Sequence, residues 1–517
     1  MIRLKINNRE IEVPEGTSVM HAARDAGIEI PALCMDNDLE HFTSCMLCLV
    51  KDGAGKIFPS CSIKAAQGMI ITTEDEEIRE ARQMALELLL SEHVGDCEAP
   101  CQTGCPAHMN IPLMNRLIAK GKWEESLKVV KRDIALPSVL GRICPAPCEG
   151  ACHRKNVDQP VSICLLKRFV GDESNVHPSP VPPLSGHKVA IIGAGPAGLA
   201  AAYYLRLKGI EPTLYDRDNK PGGALRTAIS REILPEEALD REINTILSTG
   251  VNFHGNVLVD DVSFSKFKHK YNAVVIATGN LDDYTKSFGL HGNPKGLEVD
   301  RNSYESSERG VFAIGNVLRS SRLAIRSLGQ GKEVAYSVWQ FLNGQKVIGE
   351  PRQFNSRFGR LHQTEFAEYL KESLSRSRIY PEITAAGFSP EEAVREAERC
   401  LHCDCRAADD CLLRDYSSMY QADQKRFQSS PRRAMTKHFQ TNGIVYEPGK
   451  CIKCGICVRL TAKYREKFGL TYIGRGFDIR IGIPFNESLD AALADTAALV
   501  AERCPTGALE KFENLKI

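Results

Sequence analysis

The sequence carries almost no excess of charge. Lys plus Arg number 66 against 65 for Asp plus Glu, a formal net charge of +1, which excludes a large electrostatic attraction for nucleic acid or an anionic membrane, although local basic patches stay open. Long apolar runs are missing as well. Apolar runs such as residues 86 to 90 and 273 to 277 fall far short of the roughly 18 residues a spanning helix needs, so no membrane span is expected. The opening MIRLKINNREIEV has no apolar h-region, and a cytoplasmic location is expected. No long tandem repeat or low-complexity tract occurs. No Ser-His-Asp, HExxH, Walker or paired-carboxylate arrangement stands out, so no catalytic side chain is assigned. Against these absences stand 19 cysteines. In a reducing compartment thiols do not pair, which leaves metal or cluster ligation as the leading reading.

At 517 residues the chain is too long for one core, and roughly 100 to 200 residues per domain predicts about three to five domains. Ile2, Leu4 and Ile6, then Ile11 and Val13 beyond Asn7-Asn8, alternate as a hairpin does, and a short helix starts near Thr17 and stops at Gly27. This small β domain takes residues 1–77. A helical stretch, REARQMALELLLSEH, leads into a cysteine-rich domain at 78–176, and the linker HPSPVPPLSG at 177–186 follows. An α/β pattern then runs over 186–349: strand KVAII, a Gly-rich turn, helix AGLAAAYYLRLKG and strand EPTLYD. Residues 350–430 read as charged amphipathic helices around a third cysteine group, and 431–517 hold a fourth. The expected fold class is multidomain α/β plus α+β.

Cys34, Cys45, Cys48 and Cys61 are spaced C-x10-C-x2-C-x12-C on loops. This segment resembles the [2Fe-2S] ferredoxin domain, a β-grasp fold, that opens the large clustered subunit of respiratory complex I and many hydrogenases; plant-type ferredoxins use C-x4-C-x2-C. A zinc site or plain buried cysteines is the competing reading. In the complex I relatives a helix ending in an LELLL-like run precedes a histidine and a cysteine four positions later, which together ligate a [4Fe-4S] cluster. LELLLSEH followed by VGDC puts His93 and Cys97 in those places, a solvated helix-end histidine being the alternative.

APCQTGCP at 99–106 and GRICPAPCEGAC at 141–152 resemble the cluster domain of the small subunit of NADPH-dependent glutamate synthase and of dihydropyrimidine dehydrogenase. The resemblance implies one cluster on His93, Cys97, Cys101 and Cys152, and another on Cys105, Cys144 and Cys148. The family completes the second with Glu or Gln, where this chain has Lys167. Cys164 lies three residues earlier, close to one turn back on the same helical face, and is expected as the fourth ligand. Cys400, Cys403, Cys405 and Cys411, in RCLHCDCRAADDC, are expected to hold one further cluster, with zinc a serious competitor. CIKCGIC at 451–457 with CPTG at 504–507 resembles half of a bacterial ferredoxin. The next ligand of a two-cluster run would be at 461, which is Thr461, so Cys451, Cys454, Cys457 and Cys504 close a single [4Fe-4S] cluster. These groups use all 19 cysteines. With His93 they make five sites of four ligands: one [2Fe-2S] and four [4Fe-4S] clusters, a wire of soft thiolate ligands.

GAGPAG at 193–198 follows the strand KVAII and opens a helix. Gly193 makes the tight turn, Gly195 admits a pyrophosphate, Pro196 and Ala197 begin the helix, and Gly198 permits close packing. Asp216 ends the second strand and can take ribose hydroxyls. A lone G-x-G-x-x-G does not separate FAD from NAD. VVIATGN at 274–280, with Thr278 and Gly279, and GVFAIGN at 310–316, with Gly315 and Asn316, resemble the later signatures of FAD-binding reductases. Asn316 stands where the family usually has Asp. PGG at 221–223, which contains Gly223, and the Leu234-Pro235 step match glutamate synthase relatives, so FAD is the expected cofactor.

Those relatives insert a complete NAD(P)H-binding domain between the two signatures. Here only 30 residues, 280–309, lie between them, and a βαβ unit alone takes about 30. A doubly wound FAD-binding domain lacking the NAD(P)H insertion is therefore expected. The mosaic implies an FAD and iron-sulfur electron-transfer subunit of a multisubunit anaerobic oxidoreductase. Its expected partners are an NADH dehydrogenase-type flavin subunit and a hydrogenase module, a formate dehydrogenase module or free ferredoxin, and such assemblies include electron-bifurcating hydrogenases. The alternatives are a self-sufficient NAD(P)H:acceptor oxidoreductase of glutamate synthase type and a zinc-containing, non-enzymatic scaffold.

Overall fold

Asn7 and Asn8, both with positive φ (48° and 67°), form the two-residue turn that the right-handed twist of a hairpin favours. They join β1 (Ile2–Ile6) to β2 (Arg9–Val13), paired antiparallel from Ile2 with Val13 to Ile6 with Arg9. In the computed structural model, which describes residues 1–39, 43–173, 181–280, 283–429, 431–441 and 443–512, the chain divides into two units. One comprises residues 1–98, 352–372 and 403 onward, the other 99–351 and 373–402. Residues 177–180 of the expected linker lie outside the described residues.

In the first unit, β3 (Leu49–Asp52), β4 (Ile57–Pro59) and β5 (Ile70–Thr72) complete a sheet of order β2-β1-β5-β3-β4, in which β1 and β5 run parallel. The helix Val19–Asp25 is capped by Ser18, whose Oγ accepts the His21 N–H at 3.2 Å, and it buries Val19, Met20, Ala22 and Ala23 in the core of this sheet. The helix Glu76–Ser91 follows, capped by Asp75. Its buried Arg82 donates to the Leu49 and Thr73 carbonyls at 2.7 and 2.8 Å and to the Tyr420 hydroxyl at 2.9 Å. The C-terminal part of the unit has three short antiparallel strands, His438–Phe439, Ile444–Tyr446 and Leu509–Lys511, and the helix Ile456–Lys463. One hydrophobic core joins Leu33, Leu86 and Leu90 to Ile444, Leu460, Val500 and Leu509.

The second unit begins with helices. Ile111–Ala119, Trp123–Lys131, Pro137–Ile143 and Ile163–Glu173 are the longer ones before residue 180. Two glycines let a pair of them cross closely: a Cβ on Gly141 would lie 2.4 Å from the Arg168 Cβ, and one on Gly171 would lie 2.7 Å from the Ser138 nitrogen. The sheet that follows has β6 (Lys188–Ile192), β7 (Glu211–Tyr215), β8 (Asn252–His254) and β9 (Ala273–Ile276). A small hairpin, β10 (Gly292–Asn293) and β11 (Gly296–Leu297), precedes β12 (Val311–Ala313). The order β12-β9-β6-β7-β8 is parallel throughout. The chain leaves β6 towards β7 and later returns to the other side of β6 with β9, which creates a crevice at the carboxyl ends of the strands. Between β9 and β12 the described residues hold a one-turn helix, Asp283–Lys286, and the β10–β11 hairpin.

Residues 350–430, expected as one helical segment around one cysteine group, run through both units instead. The reason is electrostatic. Arg399 is buried in the second unit against Glu396 and Asp158, at 2.7 and 3.0 Å. Arg406 and Arg414 are buried in the first, paired with Glu372 and Glu98. A buried guanidinium needs a buried carboxylate, and these partners sit in different units.

Candidate iron-sulfur and nucleotide sites

None of the 19 cysteines is in a disulfide. Cys34, Cys45, Cys48 and Cys61 are buried on the loops around β3 and β4. The Cys48 and Cys61 sulfurs are 2.9 Å apart, and the Leu33 N–H points at the Cys45 sulfur at 3.4 Å. Cys45 hydrogen-bonds to Cys34 and thereby holds the Cys34 thiol down, to about 5, while its own is pushed up. The backbone N–H groups aimed at these sulfurs favour thiolates, the form that metals take.

A second set surrounds Lys167. Cys144 caps the C-terminus of Pro137–Ile143, Cys148 lies in the short helix Pro147–Ala151, and Cys164 lies in Ile163–Glu173. Cys164 is in hydrogen-bond contact with both Cys144 and Cys148. The Lys167 Nζ is buried, 3.7 Å from the Cys164 sulfur. Burial opposes its charge, but Cys164, Cys144, Cys148 and Cys105 together outweigh that and raise its pKa. Glu149 closes the site from outside, accepting the Cys164 N–H at 3.0 Å and pairing with Arg378 at 2.8 Å. Nothing in the spacing announced Glu149.

Cys451, Cys454, Cys457 and Cys504 line one small cavity with Tyr446, Ile452, Ile456 and Leu509 among its apolar walls. Burial pushes Cys451 up to about 11 and Cys457 well above its ordinary value, and the neighbouring thiolates add to both. Four sulfurs around one pocket fit a polynuclear cluster. Thr461, at the lost ligand position, serves the fold: its Oγ1 accepts the Leu470 N–H at 3.1 Å.

The remaining ligand candidates separate by unit. In the first, the Cys405 N–H donates to the Cys97 carbonyl at 3.1 Å, and Cys411 and Cys97 both feel the Cys405 thiolate on top of burial, which lifts them to about 12 and 11. His93 is partly buried, and its Nδ1 is buried with no hydrogen-bond partner. Burial, then Lys450, holds its pKa down to about 4. In the second unit, burial lifts Cys400 to about 11, Asn115 and the His402 backbone counter it, and Cys152 adds to the rise. Cys101 belongs to this unit and Cys403 to the first. Among the described residues no three His, Cys, Asp or Glu side chains converge on a single ion.

The nucleotide residues gather at the carboxyl edge of the parallel sheet. Gly193 has φ +106°, and a Cβ there would lie 2.3 Å from the Ala277 oxygen. A Cβ on Gly198 would lie 1.9 Å from the Gly193 oxygen, whereas one on Gly195, the N-cap of the helix Pro196–Leu207, meets nothing within 4 Å. The open face at Gly195 is where a diphosphate approaches a helix N-terminus. Asp216 accepts backbone N–H groups from Ala194 and, at 2.9 Å, Asp218. Beside it a cleft is lined by both apolar and polar residues: Gly193, Tyr215, Asp216, Val257, Val259 and Thr278. Gly223 approaches Gly195, with its Cβ position 3.0 Å from the Gly195 Cα. The Gly315 N–H is held by Gln330 Oε1 at 2.8 Å, and Asn316 Oδ1 accepts the Ser321 N–H at 3.1 Å. Thr278 and Gly279 follow β9.

Comparison with known proteins matches these regions. Residues 1–76 fit the family model of a 2Fe-2S iron-sulfur cluster binding domain, residues 72–178 that of dihydropyrimidine dehydrogenase domain II, 4Fe-4S cluster, and residues 191–262 that of an NAD(P)-binding Rossmann-like domain. The chain is a mosaic of iron-sulfur and Rossmann-like domains. It is 40% identical over 243 residues to the NADPH-Fe(3+) oxidoreductase subunit beta of Geobacter sulfurreducens, covering 46% of this chain and 34% of the relative. Identity to the NADP(+)-dependent formate dehydrogenase subunit beta of Moorella thermoacetica is 41% over 207 residues (35% and 29%). To the glutamate synthase [NADPH] small chain of Mycobacterium tuberculosis it is 37% over 190 residues (36% and 39%). The chain thus matches about a third of the length of these relatives. Its homologues are oxidoreductase subunits. No helix among the described residues is long and apolar enough to cross a membrane.

Proposed function

We propose that this chain is an electron-relay subunit that binds FAD at the carboxyl edge of its parallel sheet and carries one [2Fe-2S] and four [4Fe-4S] clusters. The observation that carries this reading is the pairing of a complete nucleotide crevice, Gly193 to Gly198 with Asp216, with a β9–β12 connection whose described residues hold only a short helix and a hairpin. Such a site would take a flavin, and the described residues of that connection hold no second Rossmann unit to present a nicotinamide. Bound FAD supplies the exchange of electrons singly or in pairs. The chain's own residues would hold it: the open edge at Gly195 would take the diphosphate, Asp216 the ribose, and the turn after β12 would hold the rest. Hydride donors and terminal acceptors then belong to partner subunits. An NADH dehydrogenase-type flavin subunit, a formate dehydrogenase or hydrogenase module and free ferredoxin are the partners this reading names. The subunit names of the Geobacter and Moorella relatives support assembly with other chains. In this reading the flavin is a branch point, and in an electron-bifurcating assembly it would be the place where pairs divide.

The test is to add NADH, then NADPH, to the anaerobically reconstituted chain and follow flavin and cluster absorbance. No bleaching by either nucleotide, with full reduction by dithionite, is expected. Bleaching by a nucleotide would identify a self-sufficient NAD(P)H reductase instead. A colourless protein that binds zinc would leave the scaffold reading.

The charge of Lys167 gives a further expected result. An ammonium buried among Cys105, Cys144, Cys148 and Cys164 stabilises the more negative, reduced cluster. Lys167→Met is expected to lower that cluster's midpoint potential by about 60 mV or more, a tenfold change for one electron, and Lys167→Arg to preserve it. Redox-poised EPR measures the shift. An unchanged potential in Lys167→Met would show that other charges set it.

A further inference from the structure

Twelve residues separate Cys400 from Cys411 inclusive, and their spacing invites a single cluster. The two ends of this run have different surroundings. Arg399 accepts, at its carbonyl, the Arg154 guanidinium at 2.9 Å, and Arg399 Nη2 donates to the Gln159 carbonyl at 2.7 Å. These bonds tie Cys400 to the loop that begins at Cys152, within one unit. Past His402 the chain enters the other unit. There the Cys405 backbone is bonded to Cys97, and the Cys411 sulfur lies 3.9 Å from the Pro505 carbonyl. A Cβ on Gly507 would stand 2.3 Å from the Cys405 sulfur, so only glycine lets that turn approach.

We infer that this run serves two metal sites: Cys405 and Cys411 join Cys97 in one cluster, and Cys400 joins Cys152 in another. The inference rests on the iron-sulfur reading above and replaces the set His93, Cys97, Cys101 and Cys152 implied by the resemblance and the set Cys400, Cys403, Cys405 and Cys411 expected from spacing. It also orders part of the wire. Cys405 and Cys411 rest on the turn Pro505–Gly507, which directly follows Cys504 of the C-terminal site, and Thr506 Oγ1 donates to the Lys450 carbonyl at 3.1 Å. On the other flank of that C-terminal site, Arg459 Nη2 donates to the Cys34 carbonyl at 3.0 Å. The C-terminal cluster is then the link between the [2Fe-2S] site and the Cys97 site.

Iron counting on double variants of the full chain decides the point. Each lost [4Fe-4S] cluster removes about four irons. Cys405→Ala with Cys411→Ala is expected to lose about four, because both serve one cluster, and Cys400→Ala with Cys405→Ala about eight. Low-temperature EPR should show the same signal missing from the Cys97→Ala, Cys405→Ala and Cys411→Ala proteins, and a different one missing from the Cys152→Ala and Cys400→Ala proteins. A loss of about four irons and one common signal in the Cys400 with Cys405 variant would overturn the inference. Should an alanine variant be insoluble, Cys400→Asp and Cys405→Asp keep a donor oxygen, and the two must shift the potentials of different signals. Shifts of one and the same signal would sink the assignment. Wild-type chain devoid of iron and sulfide would instead overturn the underlying iron-sulfur reading.

Discussion

Gly198→Val is expected to yield a protein without flavin and with a weakened second unit. The Cβ added there would stand 1.9 Å from the Gly193 carbonyl oxygen. That atom is backbone, so no rotamer change relieves the collision, and either the Gly-rich turn or the helix Pro196–Leu207 must move. Overpacking of this kind costs about 3 kcal/mol or more, and a displaced turn no longer presents Gly195 to a diphosphate. The expected loss of FAD affinity is at least about 100-fold, since the helix terminus and its N–H groups move together. Gly195→Ala separates the two effects. Its Cβ meets no protein atom within 4 Å, so the fold should keep its thermal midpoint while FAD binding still falls. Flavin absorbance per chain, with iron content as the internal control, measures both. Flavin retained at wild-type stoichiometry in Gly195→Ala would show that the diphosphate does not approach this edge.

Arg399→Ala is expected to be the most destabilising single replacement near the cluster sites. Arg399 is fully buried and holds Glu396, also fully buried, at 2.7 Å. It reaches Asp158 at 3.0 Å and the carbonyls of Arg376 and Gln159 at 3.0 and 2.7 Å. Removing one partner of a buried pair leaves an uncompensated charge, a loss of about 3 to 5 kcal/mol. Glu396 cannot be removed to compensate, because its carboxylate also accepts the Ser162 and Ile379 N–H groups at 2.8 Å each. The two segments tied together here carry Cys152 and Cys400. Loss of one EPR signal should therefore accompany the fall in the denaturation midpoint. A midpoint within about 0.5 kcal/mol of wild type, the usual range for a surface change, would show that water reaches the pair.

The local patterns were readable because they depend on short-range geometry. Alternation and two adjacent asparagines make the first hairpin, and a Gly-rich turn after a buried strand makes the start of the nucleotide crevice. C-x2-C-x2-C places Cys451, Cys454 and Cys457 on one loop and helix start, and the three-residue step from Cys164 to Lys167 puts both on one helical face towards Cys144 and Cys148. What happens between distant segments was not readable in this way. A cysteine's spacing to its neighbours carries no information about which other loop it meets, and the run from Cys400 to Cys411 is the example.

The sequence by itself determined how many soft ligands there are, which of them are neighbours along the chain, and that a nucleotide turn is present with only 30 residues, 280–309, between the two later signatures. Only the tertiary structure decided that Cys405 and Cys411 lie in one unit with Cys97 while Cys400 lies in the other with Cys152, and that a lysine charge lies among four thiols. The reason is the burial of charge. Arg399 finds Glu396 and Asp158 in one unit, Arg406 and Arg414 find Glu372 and Glu98 in the other, and the cysteines between them follow.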